Sequence, residues 1–189
     1  MVKNKKKKKN IKTKKQIPAD KKLLDEIIRV DQAGELGATK IYAGQLAVFG
    51  KESNIGKKIK HMADQEQEHI DTFNRLIVEK KVRPTAMMPL WNILGYTLGV
   101  TTAIMGKKAA MACTVAVEEV IGKHYEIQAK QLKDKEPELK KIILNFRDDE
   151  LEHHDIGLEN DAEKAFGYSL LSKIIKTGCK TAIAISKKI

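Results

Sequence analysis

The chain has 189 residues, of which 42% are hydrophobic and only 5% aromatic. This length suits one domain with a buried, mostly aliphatic core. The two cysteines do not form a Cys-x-x-Cys pair, so the sequence supports neither a zinc ribbon nor a redox dithiol. No segment alternates apolar and polar residues as a half-buried strand would, which predicts an all-α protein.

The formal net charge of +11 is concentrated in residues 3–15, which contain nine lysines and no acidic residue. Blocks of like charge repel and resist folding, so residues 1–17 are predicted to be a disordered lysine-rich tail. Attraction to anionic phospholipid is an alternative role for this tail. Nucleic-acid binding is not expected, because no aromatic residues or recognition motif accompany the lysines. The tail also lacks the apolar segment of a secretory signal and the arginine and serine of a mitochondrial presequence.

Helical spacing of apolar residues predicts six helices after the tail. Asp20, which follows Pro18 and Ala19, is the predicted N-cap of the first helix. The predicted helices cover about 20–48, 54–80, 88–104, 107–133, 137–163 and 168–187. Residues 18–189 are therefore predicted to form a single helical domain.

Two of these helices have unusual surfaces. The third lies in a stretch of 23 residues, 84–106, that carries no charge. This length would permit a membrane span, but its prolines, glycines and threonines favour a buried or membrane-facing helix instead. Trp91 and Tyr96 would suit a membrane interface. The last helix has apolar residues such as Leu170 on one face and several lysines on the other. Such a helix either packs on the bundle or lies on a membrane.

One pattern of metal-binding residues occurs twice in the chain. In each half a lone glutamate is followed, 31 or 32 residues later, by the second segment of the pattern, Glu-x-x-His. The members are Glu35, Glu66 and His69 in the first half, and Glu118, Glu150 and His153 in the second. Residues three apart on a helix share a face, so each Glu-x-x-His can reach one metal ion. The lone glutamates, Glu35 and Glu118, are then expected to bridge two metals.

The repeat extends beyond these six candidate ligands. Tyr42 and Tyr125 each follow the lone glutamate by seven residues, and Gln45 and Gln128 follow it by ten. A single glutamate is usually a solvated surface residue, but two matching sets in apolar surroundings are seldom so. Carboxylates and imidazoles from four helices are typical of ferritin-like di-iron bundles. The sequence thus predicts a ferritin-like four-helix bundle with an internal two-fold repeat and two additional helices, about 88–104 and 168–187.

Other polar residues have weaker predicted roles. Asp64, Asp148 and Asp149 are expected to orient the ligand imidazoles by accepting an N–H bond. His124 and Tyr125 are candidates for a substrate or electron entry. His61 is predicted to lie on the surface, and His154 to face solvent or the surroundings of the site. Mixed carboxylate and imidazole ligation favours iron or manganese over zinc.

Several longer segments resemble the demethoxyubiquinone hydroxylase family. They are residues 28–35 (Ile-Arg-Val-Asp-Gln-Ala-Gly-Glu), 41–45, 83–92, 112–119 and 150–157, and the resemblance covers about residues 25–185. It implies a peripheral membrane monooxygenase of ubiquinone biosynthesis with two iron ions, held by all six candidate ligands. It also implies a polyprenyl quinone substrate, dioxygen, an electron donor such as NADH, and a lipid-presenting partner protein.

This resemblance implies a location at the cytoplasmic face of a bacterial inner membrane, or at the mitochondrial inner membrane if the source is eukaryotic. Two alternatives from other classes remain open at this point. One is a ferritin-like iron-storage or peroxide-scavenging protein without an organic substrate. The other is a structural lipid-binding protein whose metals only hold the bundle together.

Overall fold

The computed structural model describes residues 21–189, which contain six α-helices, one short 3-10 helix and no strand. The helices are α1 (Lys21–Phe49), α2 (Asn54–Glu79), α3 (Met88–Ile104), α4 (Lys107–Leu132), α5 (Pro137–Glu159) and α6 (Tyr168–Ser186), with the 3-10 helix at Ala162–Lys164. The all-α prediction is confirmed for this part of the chain. The predicted tail and the predicted N-cap Asp20 lie outside the described residues.

Local sequence signals account for most helix ends. The Ser53 side chain caps α2 by accepting a hydrogen bond from the Gly56 backbone N–H at 3.0 Å. Pro137 begins α5, where its missing N–H costs no helical hydrogen bond. The fifth helix ends at Glu159, four residues before its predicted end, because Asp161 adopts a left-handed conformation with φ of 65°.

Helices α1, α2, α4 and α5 form a four-helix bundle made of two helix pairs, α1–α2 and α4–α5. The two additional helices lie against it, α3 along α1 and α6 along α4. Glycines let α3 approach α1 closely: a Cβ atom at Gly99 would lie 2.0 Å from the Ile41 carbonyl oxygen, and one at Gly44 would lie 2.4 Å from that of Tyr96. Only residues without a side chain fit at these crossing points.

The outer face of α3 is more apolar than its inner face. Its buried residues are small or polar, namely Gly95, Gly99, Thr102 and Ala103. Large apolar side chains point outward instead, with Ile93 64% exposed and Ile104 72% exposed. Helix α6 resembles it, since Leu170 is 65% exposed. No helix within residues 21–189 combines the length and the apolar character needed to cross a bilayer.

Two apolar clusters fill the bundle and leave a polar layer between them. One cluster gathers Ile28, Phe73 and Tyr125 with their neighbours, and the other gathers Tyr42 and Met111 with theirs. Cys113 is buried in a smaller third cluster, whereas Cys179 on α6 is only partly buried. Because the lone-glutamate helices α1 and α4 contribute to both main clusters, packing holds their backbones in place around the polar layer.

Candidate metal centre

The six candidate ligands converge in the polar layer of the bundle. Each is at most 2% exposed, and together they come from four helices. They form two overlapping groups, within each of which one ligand atom per residue lies within 4.8 Å of the others. The groups are Glu35, Glu66, His69 and Glu150 on one side, and Glu66, Glu118, Glu150 and His153 on the other. The fold therefore brings together all six residues that the repeat selects.

The distances distinguish two kinds of glutamate in the cluster. Glu66 presents Oε2 to His69 Nδ1 at 3.6 Å and Oε1 to His153 Nδ1 at 3.2 Å. Glu150 likewise presents Oε1 to His69 at 3.5 Å and Oε2 to His153 at 3.4 Å. These two carboxylates, not the lone glutamates, are shared by both groups. The arrangement therefore favours Glu66 and Glu150 as the bridging pair over the predicted Glu35 and Glu118, because each lone glutamate reaches only one group.

Unsatisfied buried atoms show that the cluster suits cations. Among the described residues, eight buried side-chain atoms of the candidate ligands have no hydrogen-bond partner. They are Glu35 Oε2, both oxygens of Glu66, His69 Nδ1, Glu118 Oε2, both oxygens of Glu150 and His153 Nδ1. Buried polar atoms are nearly always paired. These eight unpaired atoms divide into four possible metal-binding atoms for each of the two groups. The cluster can therefore bind metal ions, and two divalent ions would balance its four carboxylates.

The protonation of the cluster also reflects crowded negative charge. Burial raises the pKa of Glu35, and the nearby Glu66 carboxylate raises it further. Burial and Glu150 raise the pKa of Glu118 in the same way. Burial alone would lower the pKa of His153, but contact with Glu150 and Glu66 raises it to about 10. In the metal-free protein, protons therefore take over part of the charge balance that cations would provide.

The two repeated tyrosines each contact the lone glutamate of the opposite half. The Tyr42 hydroxyl donates to Glu118 Oε1 at 2.6 Å, and the Tyr125 hydroxyl donates to Glu35 Oε1. Both rings are 1% exposed. Each lone carboxylate thus has one oxygen occupied by a tyrosine and one oxygen turned toward the cluster. Tyr125 was predicted at a substrate or electron entry; the structure places its hydroxyl beside a candidate ligand.

Only one of the three aspartates contacts an imidazole as expected. Asp149 Oδ2 lies 3.0 Å from His69 Nε2. Asp64 instead pairs with Lys60, and Asp148 with Arg147, both on the exposed surface. The prediction was wrong for Asp64 and Asp148. Each lies two residues before the glutamate of a Glu-x-x-His, and that position on the helix faces solvent.

The partner of the other imidazole was missed. His153 Nε2 lies 3.0 Å from the side-chain oxygen of Gln65, which directly precedes Glu66 just as Asp149 directly precedes Glu150. The signal in the sequence was the residue directly before the glutamate of each Glu-x-x-His, which is Gln65 in one half and Asp149 in the other. The predicted aspartates Asp64 and Asp148 lie one residue earlier. The position of a residue relative to the ligands therefore predicts the imidazole partner better than its acidic character does.

The partly buried His124 belongs to a second polar group on α1 and α4, in which Asp31 and Gln128 are buried. The Gln128 side-chain amide donates to Asp31 Oδ1 at 2.7 Å and lies 3.0 Å from His124 Nε2. Burial lowers the pKa of His124 to about 4, and Lys187 lowers it as well. Burial raises the pKa of Asp31. His124 therefore lies apart from the ligands, four residues from Gln128 and next to Tyr125.

The remaining histidines lie outside the cluster. His61 is exposed and faces Glu152 at 3.2 Å, which confirms its predicted surface position. His154 Nδ1 lies 3.2 Å from the exposed Asp155 carboxylate, so it faces the outer side of α5. Neither belongs to a group of residues in the described part of the chain that could hold a metal.

An apolar cavity of about 350 Å³ lies beside the metal centre, between α1, α3, α4 and α6. Its wall includes Gly34 and Val117, each of which directly precedes a lone glutamate in the sequence. Trp91 also lines it, and its indole N–H donates to the Ser186 hydroxyl at 3.0 Å. This bond joins α3 to α6 across the cavity. An apolar pocket of this size beside a polar cluster is a typical binding site for an organic ligand.

Comparisons with known proteins identify a matching family and several similar proteins. The family described as ubiquinone biosynthesis protein COQ7 matches residues 22–186. A Bos taurus relative named NADPH-dependent 3-demethoxyubiquinone 3-hydroxylase, mitochondrial, is 54% identical over 90% of this chain and 80% of its own length. A Rhodospirillum rubrum relative named 3-demethoxyubiquinol 3-hydroxylase is 49% identical over 91% of this chain and 81% of its own length. A Saccharomyces cerevisiae relative named 5-demethoxyubiquinone hydroxylase, mitochondrial, is 42% identical over 88% of this chain and 78% of its own length.

Proposed function

The chain belongs to the family described as ubiquinone biosynthesis protein COQ7, and we propose that it is a di-iron monooxygenase that hydroxylates a demethoxyubiquinone-type polyprenyl quinone. One observation carries this proposal: a buried cluster of four carboxylates and two imidazoles lies beside an apolar cavity. The cluster suits an oxygen-activating metal pair, and the cavity suits an apolar organic substrate. The reaction puts one oxygen atom of O2 on the ring and reduces the other to water with two electrons and two protons.

The proposed ligands of the two irons are the six residues of the cluster. On one side Glu35 and His69 Nδ1 would bind one iron, and on the other side Glu118 and His153 Nδ1 would bind the second. Each oxygen of Glu66 and Glu150 faces one of these two sides. When bound, the irons supply the activation of dioxygen. Carboxylate and imidazole donors favour iron or manganese over zinc, which supports this choice.

The protein side chains around the irons have separate tasks. Tyr42 and Tyr125 hold one oxygen of each lone glutamate, so that the other oxygen stays turned toward the metals. The apolar clusters on both sides of the polar layer exclude bulk water from it. We further propose that the quinone ring enters the cavity along Gly34 and Val117, which brings it beside Glu35 and Glu118. A storage protein or peroxide scavenger would need no such cavity.

A polyprenyl quinone is almost insoluble in water, so we propose that the protein works at a membrane surface. The outward apolar residues of α3 and α6 support this role, since such patches mark interaction sites in soluble proteins. Phe166, 98% exposed just before α6, would insert among the lipids, and Lys164 and Lys173 nearby in sequence would meet anionic headgroups. The proposed location is peripheral, on a bacterial inner membrane or the mitochondrial inner membrane.

The relatives also suggest the electron donor. Several carry NADPH dependence in their names, so we propose a reduced nicotinamide nucleotide, NADPH or NADH, as donor for this chain. His124, which directly precedes Tyr125 on α4, remains our candidate for the substrate or electron entry. A lipid-presenting partner protein and the division into a tail (1–17) and a single bundle domain (18–189) also belong to this proposal.

The function is tested by single-turnover chemistry on the full-length protein. The chain is loaded anaerobically with Fe(II), mixed with a short-chain demethoxyubiquinone and NADPH, and then exposed to oxygen. About two irons per chain and a quinone heavier by one oxygen atom are expected, with the atom coming from 18O2 by mass spectrometry. Two bound irons without quinone product, but with rapid peroxide consumption or growth of an iron core, would instead establish the scavenging or storage function.

The membrane surface is tested by flotation of the full-length protein with vesicles that contain anionic phospholipid. Replacing Ile93 and Leu170 together by Ser is expected to shift protein from the floating fraction to the soluble one. Val78→Ser is the matched control, since Val78 is 75% exposed but belongs to α2 instead of α3 or α6. Equal flotation of all three proteins would show that these helices do not face the bilayer.

A further inference from the structure

The two histidines of the metal centre are connected on the side that faces away from the metals. His69 Nε2 lies 3.0 Å from Asp149 Oδ2, and His153 Nε2 lies 3.0 Å from Gln65 Oε1. The Gln65 amide nitrogen lies 3.5 Å from Asp149 Oδ1 and completes the chain. One row of side chains therefore joins the outer edges of both imidazoles, from His69 through Asp149 and Gln65 to His153.

The direction of these hydrogen bonds follows from the chemistry of the groups. An ionised carboxylate only accepts, so Asp149 receives the N–H of His69 and the N–H of Gln65. The Gln65 amide donates through nitrogen, so its oxygen accepts the N–H of His153. When the rings are neutral, as metal binding requires, both imidazoles then carry their proton on Nε2 and leave Nδ1 free to bind metal. The shared tautomer agrees with the unpaired Nδ1 atoms of both rings.

The two halves differ in the charge of the partner that each imidazole meets. His69 donates to a carboxylate, whereas His153 donates to a neutral amide. A carboxylate partner makes an imidazole a stronger electron donor to its metal. The Asp149 side chain is 36% exposed, so solvent screens part of this effect but does not cancel it. The His69 ring is also held by Phe146, which stacks on it with centroids 3.8 Å apart.

We propose that Asp149 and Gln65 are positioning residues that make the two metal positions unequal. The position of Glu35 and His69 binds its ion more tightly and favours the higher oxidation state, and the position of Glu118 and His153 is the weaker one. This inference rests on the proposed metal centre and goes beyond it, because the repeated ligand pattern by itself predicts two equivalent positions. The inequality arises from one matched pair of residues outside the ligand set.

The first test measures the affinity of each position in the full-length protein. Fe(II) is titrated anaerobically against a chelator of known affinity. Two binding steps are expected for the unsubstituted chain, separated by about 10-fold or more, the size of effect that outer hydrogen-bond partners have on metal affinity. Asp149→Asn is expected to weaken the tighter step and Gln65→Glu to strengthen the weaker one, so each variant brings the two steps together.

The second test uses a spectroscopic signature that a purely structural role would not change. With one equivalent of 57Fe(II), the Mössbauer spectrum of the unsubstituted chain is expected to show one dominant quadrupole doublet. Asp149→Asn should distribute the same iron over two doublets. Asp64→Asn and Asp148→Asn are matched controls, because these neighbouring aspartates pair with Lys60 and Arg147 instead of an imidazole. Both controls should reproduce the unsubstituted spectrum.

Equal affinities in the unsubstituted chain, or an unchanged affinity ratio in both Asp149→Asn and Gln65→Glu, would refute the inference. These results are distinguishable from failure of the proposed function. A chain that hydroxylates the quinone but binds both irons equally loses only this inference. A chain with two unequal iron positions and no hydroxylated product loses the proposed function and keeps the inference.

Discussion

The helix pairs α1–α2 and α4–α5 agree at every candidate ligand but differ directly outside the metal centre. Each supplies one lone glutamate, one Glu-x-x-His and one tyrosine that crosses to the other half. Behind the ligands, Gln65 in one half corresponds to Asp149 in the other. Asp31 corresponds in the same way to Thr114, and His124 to Ile41.

This comparison separates two requirements on the bundle. Residues that face the metals must match, because two cations need equivalent sets of negative charge and donor atoms. Residues one layer farther out need not match, and their differences can give each half its own task. His124 of α4 is joined through Gln128 to the buried Asp31 of α1, and the positions that match them in the repeat hold neither a histidine nor an aspartate. The asymmetry of the protein therefore begins outside its symmetric centre.

The largest expected effect comes from removing a lone glutamate from either half. Glu35→Ala and Glu118→Ala should each leave at most one tightly bound iron. Loss of a hydrogen-bond partner of a metal ligand reduces activity by up to about 100-fold, so loss of a proposed ligand itself should reduce hydroxylation by more than that. Iron content by mass spectrometry and single-turnover product measure this effect. Glu119→Ala is the control, because Glu119 is exposed and pairs with Lys176. Unchanged activity in one of the two variants would break the functional equivalence of the halves.

The next effect concerns metal-free protein, in which both halves hold excess carboxylate charge. The pKa of His153 is raised to about 10 in the folded state, above its ordinary value. Its stabilising contribution is therefore complete below the unfolded pKa of about 6.5 and is lost as the pH rises through about 10. The raised pKa values of Glu35 and Glu118 act in the same direction.

Chelated protein should consequently lose a few kcal/mol of unfolding free energy between pH 7 and pH 9.5, since each pKa unit is worth about 1.4 kcal/mol. The metal-loaded protein should lose much less, because cations replace the protons. Urea denaturation with and without chelator at each pH measures the difference. A metal-free stability that stays constant or rises over this range would contradict the expectation.

A smaller effect is expected from the crossing tyrosines. Tyr42→Phe and Tyr125→Phe each leave a buried glutamate oxygen without its donor, which should cost about 1–3 kcal/mol of stability. Metal affinity should fall by roughly 10-fold in both variants. Tyr96→Phe, at an exposed tyrosine of α3, should change neither quantity. Denaturation and iron titration of the three variants would show whether the two crossings are equivalent.

The smallest effect is confined to one half. The pKa of His124 is lowered to about 4, so the unfolded chain binds its proton more readily. Stability from this group is therefore full above about pH 6.5 and declines as the pH falls toward 4. Between pH 6.5 and 5 the unsubstituted chain should lose up to about 2 kcal/mol more than His124→Gln. His61→Gln, at an exposed histidine, is the control, and an equal loss in all three proteins would remove His124 as the cause.

The sequence predicted the helices of the described region well, because apolar spacing and turn residues act locally. All six helices appear, and most ends lie within one or two residues of their predicted positions. The end of the fifth helix was missed, because a left-handed residue such as Asp161 has no strong local signal. The orientation of α3 was left open between buried and membrane-facing. The position of α3 on α1 depends on close contacts at glycines. The local sequence around a glycine does not show which helix will pack against it.

For the candidate site, the sequence alone determined which six residues converge, since the repeat and the helical spacing place them on inward faces of four helices. Tertiary structure decided everything that depends on distances between helices. It decided that Glu66 and Glu150 are shared between the two sides, that each tyrosine crosses to the opposite half, and that Gln65 rather than Asp64 meets an imidazole. The physical reason is that periodicity determines the face a side chain occupies, whereas packing determines which atom of a neighbouring helix it reaches.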